Sequence, residues 1–203
     1  TRAQALASPH LEGFKSKNIP VLIMTDAIDQ FWLPMIGSFK DKKFISITQG
    51  QINLDDLDEK NKDKDIENKE QKEKQDKEFV DLIAQMKVVL GEQVKDIRLS
   101  SKLTDSPVCL VADDGDMDIA MEQLMAQRDT NYKGAPRILE INGDHSLIKN
   151  MKSLLSKKEN NDLVSDAGTL LFEQARLMEG KMPSDPAQFS KIMNQFLLKV
   201  IPE

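Results

Sequence analysis

VKDIRLSSKLTDSPVCLVADDGDMDIAMEQLM, residues 94–125, passes from strand-like to helix-like spacing within one short run. Val94–Leu99 alternates apolar and polar positions, as a half-buried strand does. Val108–Val111 is apolar throughout, as a more deeply buried strand is. The turn residues Thr104-Asp105-Ser106-Pro107 between them predict an antiparallel pair. After the acidic loop an amphipathic helix is expected over 117–127, capped by Asp116. Met117, Met121 and Met125, three of the chain's ten methionines, recur every fourth position and share one side with Leu124. Such a flexible, polarizable row either fills a core or grips partners of varied shape. Gln123, Gln127 and Arg128 flank it, so only one narrow stripe is apolar.

Outward from this unit, Phe79, Leu82, Ile83, Met86 and Leu90 keep helical spacing up to Gly91, a residue suited to ending a helix. Arg137–Ile141 is a third strand, for a three-stranded antiparallel sheet in an α+β fold. Two apolar helices follow. The first carries Leu163, Val164, Ala167, Leu170, Leu171, Gln174 and Met178 on one stripe and stops at Gly180. Gly168 within it costs about 1 kcal/mol against alanine, tolerable where another helix comes close. The second begins at Ser184-Asp185-Pro186, a cap followed by proline at the first helical position. Its stripe is Phe189, Ile192, Met193, Phe196, Leu197 and Val200. Together they form a hairpin with surplus apolar surface, which a second copy would bury as a four-helix bundle. Packing on the chain's own sheet is the alternative.

Upstream, residues 1–54 hold five of the ten aromatics: Phe14, Phe31, Trp32, Phe39 and Phe44. A helix is expected over Leu6–Lys17, ending at Asn18, then a strand over Ile19–Met24 with Pro20 near its start. A second helix, capped by Thr25 or Asp26, presents Ile28, Phe31, Trp32, Met35 and Ile36, and Phe44–Ile47 resembles a short strand. This α/β piece has too few strands to close a sheet, and a chain starting at Thr1 is expected to be a fragment. Residues 55–78 differ: 18 of 24 are charged, 11 acidic and 7 basic. Asp56–Lys60, Asp58–Lys62, Asp65–Lys69, Glu70–Lys74 and Glu73–Lys77 are spaced four apart. Each pair is worth only about 0.2–0.5 kcal/mol on an exposed helix, so the stretch is expected to be a solvated helix or linker.

At 203 residues and net charge −6, the chain lacks the basic excess of a nucleic-acid or anionic-membrane binder. No apolar run approaches the roughly 20 residues that span a bilayer. The lone Cys109 excludes an internal disulfide framework and suits a reducing compartment. His10 and His145 have no neighbouring ligand set at metal spacing, and both are expected to be surface or capping residues. In the run Asp113–Asp118, Gly115 stands third rather than sixth, which does not fit a calcium loop. No phosphate-binding glycine loop is present. A hydrolase using Cys109 or His145 is the weakest of the alternatives.

The segment 94–110, RILEINGDHSLIKNM at 137–151, KIMNQFLLKV at 191–200 and SPHLEGFKSKNIPVLIMTDAID at 8–29 closely resemble, in order, the ninety-kilodalton heat-shock chaperone family of bacterial HtpG type. The likeness covers nearly the whole chain and fails mainly at 55–78. It implies the C-terminal part of an ATP-driven homodimeric chaperone: the end of a middle domain (1–54), a charged helix or linker (55–78) and a dimerisation domain (79–203). The family's nucleotide pocket lies in a domain outside this stretch, so ATP and Mg are expected only in the full-length parent and no cofactor here. The resemblance assigns self-association to the last two helices, through the stripes named above except Met178. It assigns a surface for unfolded or partly folded clients to Met117, Met121, Leu124 and Met125, joined by Phe31 or Trp32. The family's aromatic position holds Phe31, with Trp32 one residue later, and both stay open as the contact. Met125 stands where a bacterial relative carries an aromatic. The end at Glu203 lacks the acidic pentapeptide of eukaryotic cytosolic members, which suits a bacterial, cytoplasmic origin. A non-chaperone module gripping one fixed partner through the methionine helix is the competing reading.

Overall fold

The computed structural model describes residues 2–54, 65–129, 132, 134–156 and 160–201, with the backbone alone for 65–73. The sheet is built from β3 (Val94–Leu99), β4 (Val108–Val111) and β5 (Arg137–Ile141). Its order, β3-β5-β4, corrects the expected antiparallel arrangement: β3 pairs β5 in parallel, and only β4 pairs β5 antiparallel. All five residues of β5 are buried, and this strand takes the centre. The turn at 104–107 therefore joins two edge strands across β5 instead of closing a hairpin.

One face of this mixed sheet carries the main core. Helix α4 (Asp65–Leu90) lays Phe79, Leu82, Met86 and Leu90 against Ile97, Leu110, Leu139 and Ile141. Helices α6 (Ser146–Leu155) and α7 (Asn161–Met178) add Ile148, Met151, Val164, Leu171 and Phe172. The charged sequence up to Glu78 and the apolar sequence from Phe79 belong to the same helix, which ends at Leu90 before Gly91 at φ 52°. Residues 55–64 lie outside the described residues, and each predicted acid–lysine pair has a member whose side chain does too. Helix α8 (Pro186–Val200) starts at the expected cap, where the Asp185 carboxylate accepts from the backbone of Ala187 and Gln188.

The N-terminal segment departs most from expectation. In place of one helix over 6–17 there are α1 (Arg2–Leu6), a 3-10 turn (Pro9–Leu11) and α2 (Glu12–Ser16). Proline disfavours helical geometry at the residue before it, and Ser8 is extended at ψ 134°. Asn18 does end the run, in the left-handed region at φ 55°. Ile19–Met24 forms no strand, and neither does Phe44–Ile47. The strands here are the two-residue β1 (Ser38–Phe39) and β2 (Lys42–Lys43), after α3 (Asp29–Ile36). Lys40 and Asp41, both at positive φ, turn that hairpin. Beyond it the chain docks on the sheet: Ala112 N–H donates to Thr48 O at 2.9 Å and Gly50 N–H to Ala112 O at 2.8 Å.

Two glycines respond oppositely to a methyl group. A Cβ on Gly13 would lie 2.5 Å from Lys102 O and 2.9 Å from Lys102 Cα, backbone atoms that cannot swing aside. On Gly168 it would meet the Met86 side chain at 3.4 Å, ordinary contact. Gly13→Ala is expected to cost about 1–3 kcal/mol. Gly168→Ala is expected to gain up to about 1 kcal/mol. Denaturant midpoints of the two variants measure this; a Gly13→Ala protein as stable as the parent would refute the close approach.

Candidate functional site

The methionine helix is α5 (Ile119–Arg128), and its cap is Asp118, not the expected Asp116. Asp118 accepts from Ala120 N–H at 2.9 Å and from the Thr48 hydroxyl at 2.8 Å, whereas Asp116 pairs with Lys95 at 3.0 Å. The helix begins where it can use both an internal donor and the docked 46–48 segment. Met117 consequently sits just before the cap, outside the helix.

Polar bonds hold α5 in place. Only Ile119 and Glu122 are buried in it. The Glu122 carboxylate pairs with Arg137 of β5 and with Lys181 Nζ at 3.0 Å. Arg137 also donates to Met117 O at 2.7 Å, and Gln123 donates to Glu179 O at 2.9 Å. A helix fixed in this way does not have to bury its apolar stripe. Met121 and Leu124 are half-buried, while Met117 and Met125 keep 41% and 40% of their surface exposed.

The two aromatic candidates separate. Trp32 donates its indole N–H to Asp29 at 2.9 Å and stacks edge-on against Phe44, with ring centroids 6.5 Å apart. Phe31 is exposed. So are Ile28, Met35 and Ile36, and the apolar side predicted for this helix lies largely at the surface. In α7, Val164, Ala167 and Leu171 join the chain's own core, Leu163 and Leu170 are half-buried, and Gln174 and Met178 are exposed. In α8, Ile192 is buried, Phe189 and Phe196 are half-buried, and Met193, Leu197 and Val200 are exposed. The terminal stripes thus divide between the chain's own core and open surface.

Beneath α5 lies a cavity of about 730 Å³, bounded by Ser8–His10, residues 24–27, the inner side of α5 and the end of α7. His10 lines it and is buried, correcting the expected surface or capping role. Burial, helped by the nearby Lys102 charge, pushes its pKa down to about 3, so the imidazole is neutral. His145 does cap, accepting from Leu147 N–H at 3.1 Å. Cys109 is buried between the sheet and this cavity. Burial and then the Glu140 charge push its thiol well above the ordinary range, which removes the thiolate a hydrolase would need. Among the described residues no three His, Cys, Asp or Glu side chains cluster to hold a metal ion.

Several residues that build the site escaped pattern reading. Glu140 in β5 is buried, bonded to Arg98 at 2.8 Å and Ser100 at 2.9 Å, with Lys102 at 3.6 Å. Buried Lys102 also donates to Ile47 O at 3.0 Å, tying the N-terminal segment to the sheet. Glu12 accepts from the backbone of Thr104 and Asp105, both at 2.9 Å, and of Ser106 at 3.0 Å. The available signal was Arg137 and Glu140 standing inside an otherwise apolar strand, because charges there require partners.

A model of the family described as Hsp90 protein matches residues 1–202. The chaperone protein HtpG of Roseobacter denitrificans is 44% identical over 184 residues, which is 90% of this chain and 29% of that protein. HtpG of Streptomyces coelicolor is 36% identical over 186 residues, 92% of this chain and 28% of that protein. HtpG of Mycobacterium avium is 35% identical over 201 residues, 99% and 30% respectively. The chain thus spans about three tenths of the length of the curated relatives it matches.

Acid should loosen this site through two groups. The folded His10 pKa lies below its unfolded value, so as pH falls below about 6.5 the unfolded state gains a proton that the folded state refuses. For Glu12, burial raises the pKa, but the bonds from Ser106, Thr104 and Asp105 outweigh it and hold the carboxyl low. Its contribution is present above the ordinary carboxylate range and is lost as pH falls through the depressed value. His10→Asn should flatten the slope of unfolding free energy between about pH 6 and pH 4. Glu12→Gln should cost about 1–2 kcal/mol at neutral pH, discounted for partial exposure. Denaturant titrations across pH measure both, and an unchanged slope in His10→Asn would refute the first.

Proposed function

The chain belongs to the Hsp90 protein family, and from that membership we propose that it forms the dimerisation and client-binding region of an ATP-dependent molecular chaperone. The observation that carries the reading is the half-exposed row of Met121, Leu124 and Met125 on a helix fixed by buried charge, with Met117 exposed just before its cap. An unfolded segment presents apolar side chains of no fixed shape. Methionines adapt to them with little strain, while the polar anchoring keeps the helix from collapsing into its own core. The exposed Phe31 is the aromatic proposed to share this role, since Trp32 is committed to Asp29 and Phe44.

Self-association is assigned to the surface that α7 and α8 leave open. Met193, Leu197 and Val200 form its centre, with Leu163, Leu170 and Gln174 beside them. Val164, Ala167, Leu171 and Ile192 support these helices from within. Glu173 fixes the connection by accepting from Ser184 N–H at 3.1 Å. Two such hairpins form the proposed four-helix bundle. ATP and Mg binding are assigned to the full-length parent and to none of these residues. No helix among the described residues is long and apolar enough to cross a membrane, and a bacterial cytoplasm is the proposed setting.

The chain is expected to sediment as a dimer at tens of micromolar, a range where weak self-association appears, and Leu197→Lys with Val200→Lys to yield monomer. Changing Met117, Met121 and Met125 together to serine should weaken suppression of client aggregation several-fold without altering the far-ultraviolet spectrum. Unchanged suppression would sink the client surface. Capture of one stoichiometric partner, with no effect on unrelated unfolding proteins, would favour a dedicated interaction module.

A further inference from the structure

We infer that the cavity beneath α5 receives the guanidinium or ammonium group of a bound unfolded segment, so that preferred segments pair a basic residue with apolar neighbours. The inference rests on the reading of α5 as the client surface, and adds the chemical class that the surface selects.

The cavity wall contains a carboxylate whose needs are unmet. The Glu179 side chain is only 7% exposed, and neither oxygen accepts a hydrogen bond among the described residues. Lys181 Nζ lies 3.3 Å from one oxygen, but its closer carboxylate is Glu122 at 3.0 Å. One ammonium is thus shared by two acids, of which Glu122 is also paired with Arg137. Burial pushes the Glu179 carboxyl above its ordinary range, with the Lys181 and Arg137 charges offsetting this only in part. Asp26 adds a third carboxylate at the exposed mouth, and His10, neutral on the floor, has an unpartnered Nδ1. Three acids and one lysine therefore line the space, with Arg137 paired to Glu122 from outside the lining.

Complementarity decides the occupant. A buried carboxylate short of donors is stabilised by a cation that brings several N–H groups, and a planar guanidinium can bond both oxygens. An anion or an apolar group entering the same space would leave the carboxylate worse off. The volume of about 730 Å³ holds a long basic side chain together with water. Continuity with the proposed client surface comes from Leu124, which belongs to the apolar stripe and also lines the cavity. A segment lying along Met121 and Met125 therefore passes the mouth, where exposed Asp26 and Gln127 stand.

The test uses the whole chain and two fluorescently labelled apolar peptides, identical except for a central arginine in one and neutral, isosteric citrulline in the other. Anisotropy is expected to show the arginine peptide binding about tenfold more tightly, the scale of a charge-assisted bidentate pair. Glu179→Gln should bring that ratio close to one and leave the citrulline peptide's affinity unchanged. Lys181→Met should raise the ratio, because the competing ammonium is gone. Each ratio is read within one variant, so a general loss of stability cannot imitate the opposite shifts. Equal binding of the two peptides to the parent, weakened alike by Met121→Ser with Met125→Ser, would overturn the cation receptor while sparing the client surface. Failure of both peptides to bind would overturn both readings. Displacement of the arginine peptide by free arginine amide, with no effect of the methionine changes, would replace the segment by a small-cation site and overturn the proposal as stated.

Discussion

The middle strand buries two opposite charges three residues apart, and most of the architecture follows from satisfying them. Arg137 and Glu140 are each 3% exposed. A buried charge left without a partner destabilises by several kcal/mol, so each must recruit groups from elsewhere in the chain. Arg137 recruits Glu122 and the Met117 carbonyl, which fixes α5 over one end of the sheet. Glu140 recruits Arg98, Ser100 and Lys102, and Lys102 in turn reaches the carbonyl of Ile47. One strand thereby sets the position of the methionine helix and of the N-terminal segment. Leu139 and Ile141 of the same strand need no such arrangement, because α4, α6 and α7 bury them in plain hydrocarbon.

This division explains what could be read from the sequence. The apolar half of α4 with its end at Leu90, and helices α7 and α8, were legible because a long apolar period survives any tertiary context, whereas the charged first half of α4 carried no such period. The three sheet strands were legible individually for the same reason. Their order was not, since turn chemistry at 104–107 is compatible both with a hairpin and with a longer passage across an inserted strand. The N-terminal segment misled more seriously. Ile19–Met24 has a strand's composition, but strand structure is a property of pairs, and no ladder forms there. The α3 stripe has a core's composition, yet Met35 is 86% exposed.

The candidate site divides in the same way. Spacing identified the methionines and the terminal stripes, while family likeness supplied the role proposed for them. Glu122, Glu179 and Lys181 left no periodic trace, because ion pairs between distant segments depend on the fold alone. The location of the cap shows the limit at its smallest scale. Asp116 and Asp118 are chemically identical candidates, and the hydroxyl of Thr48, 70 residues away, accompanies the choice.

The insertion of β5 between β3 and β4 also has a consequence for the order of events during synthesis. A chain leaving the ribosome delivers residues 94–111 well before 137–141, yet neither edge strand has its sheet partner until the last of them is free. Through that interval both edge strands remain without their sheet partner, and long-range pairing of this kind is slow to form. The sheet is therefore completed in one late step, with Arg137 and Glu140 arriving on the same strand that closes it.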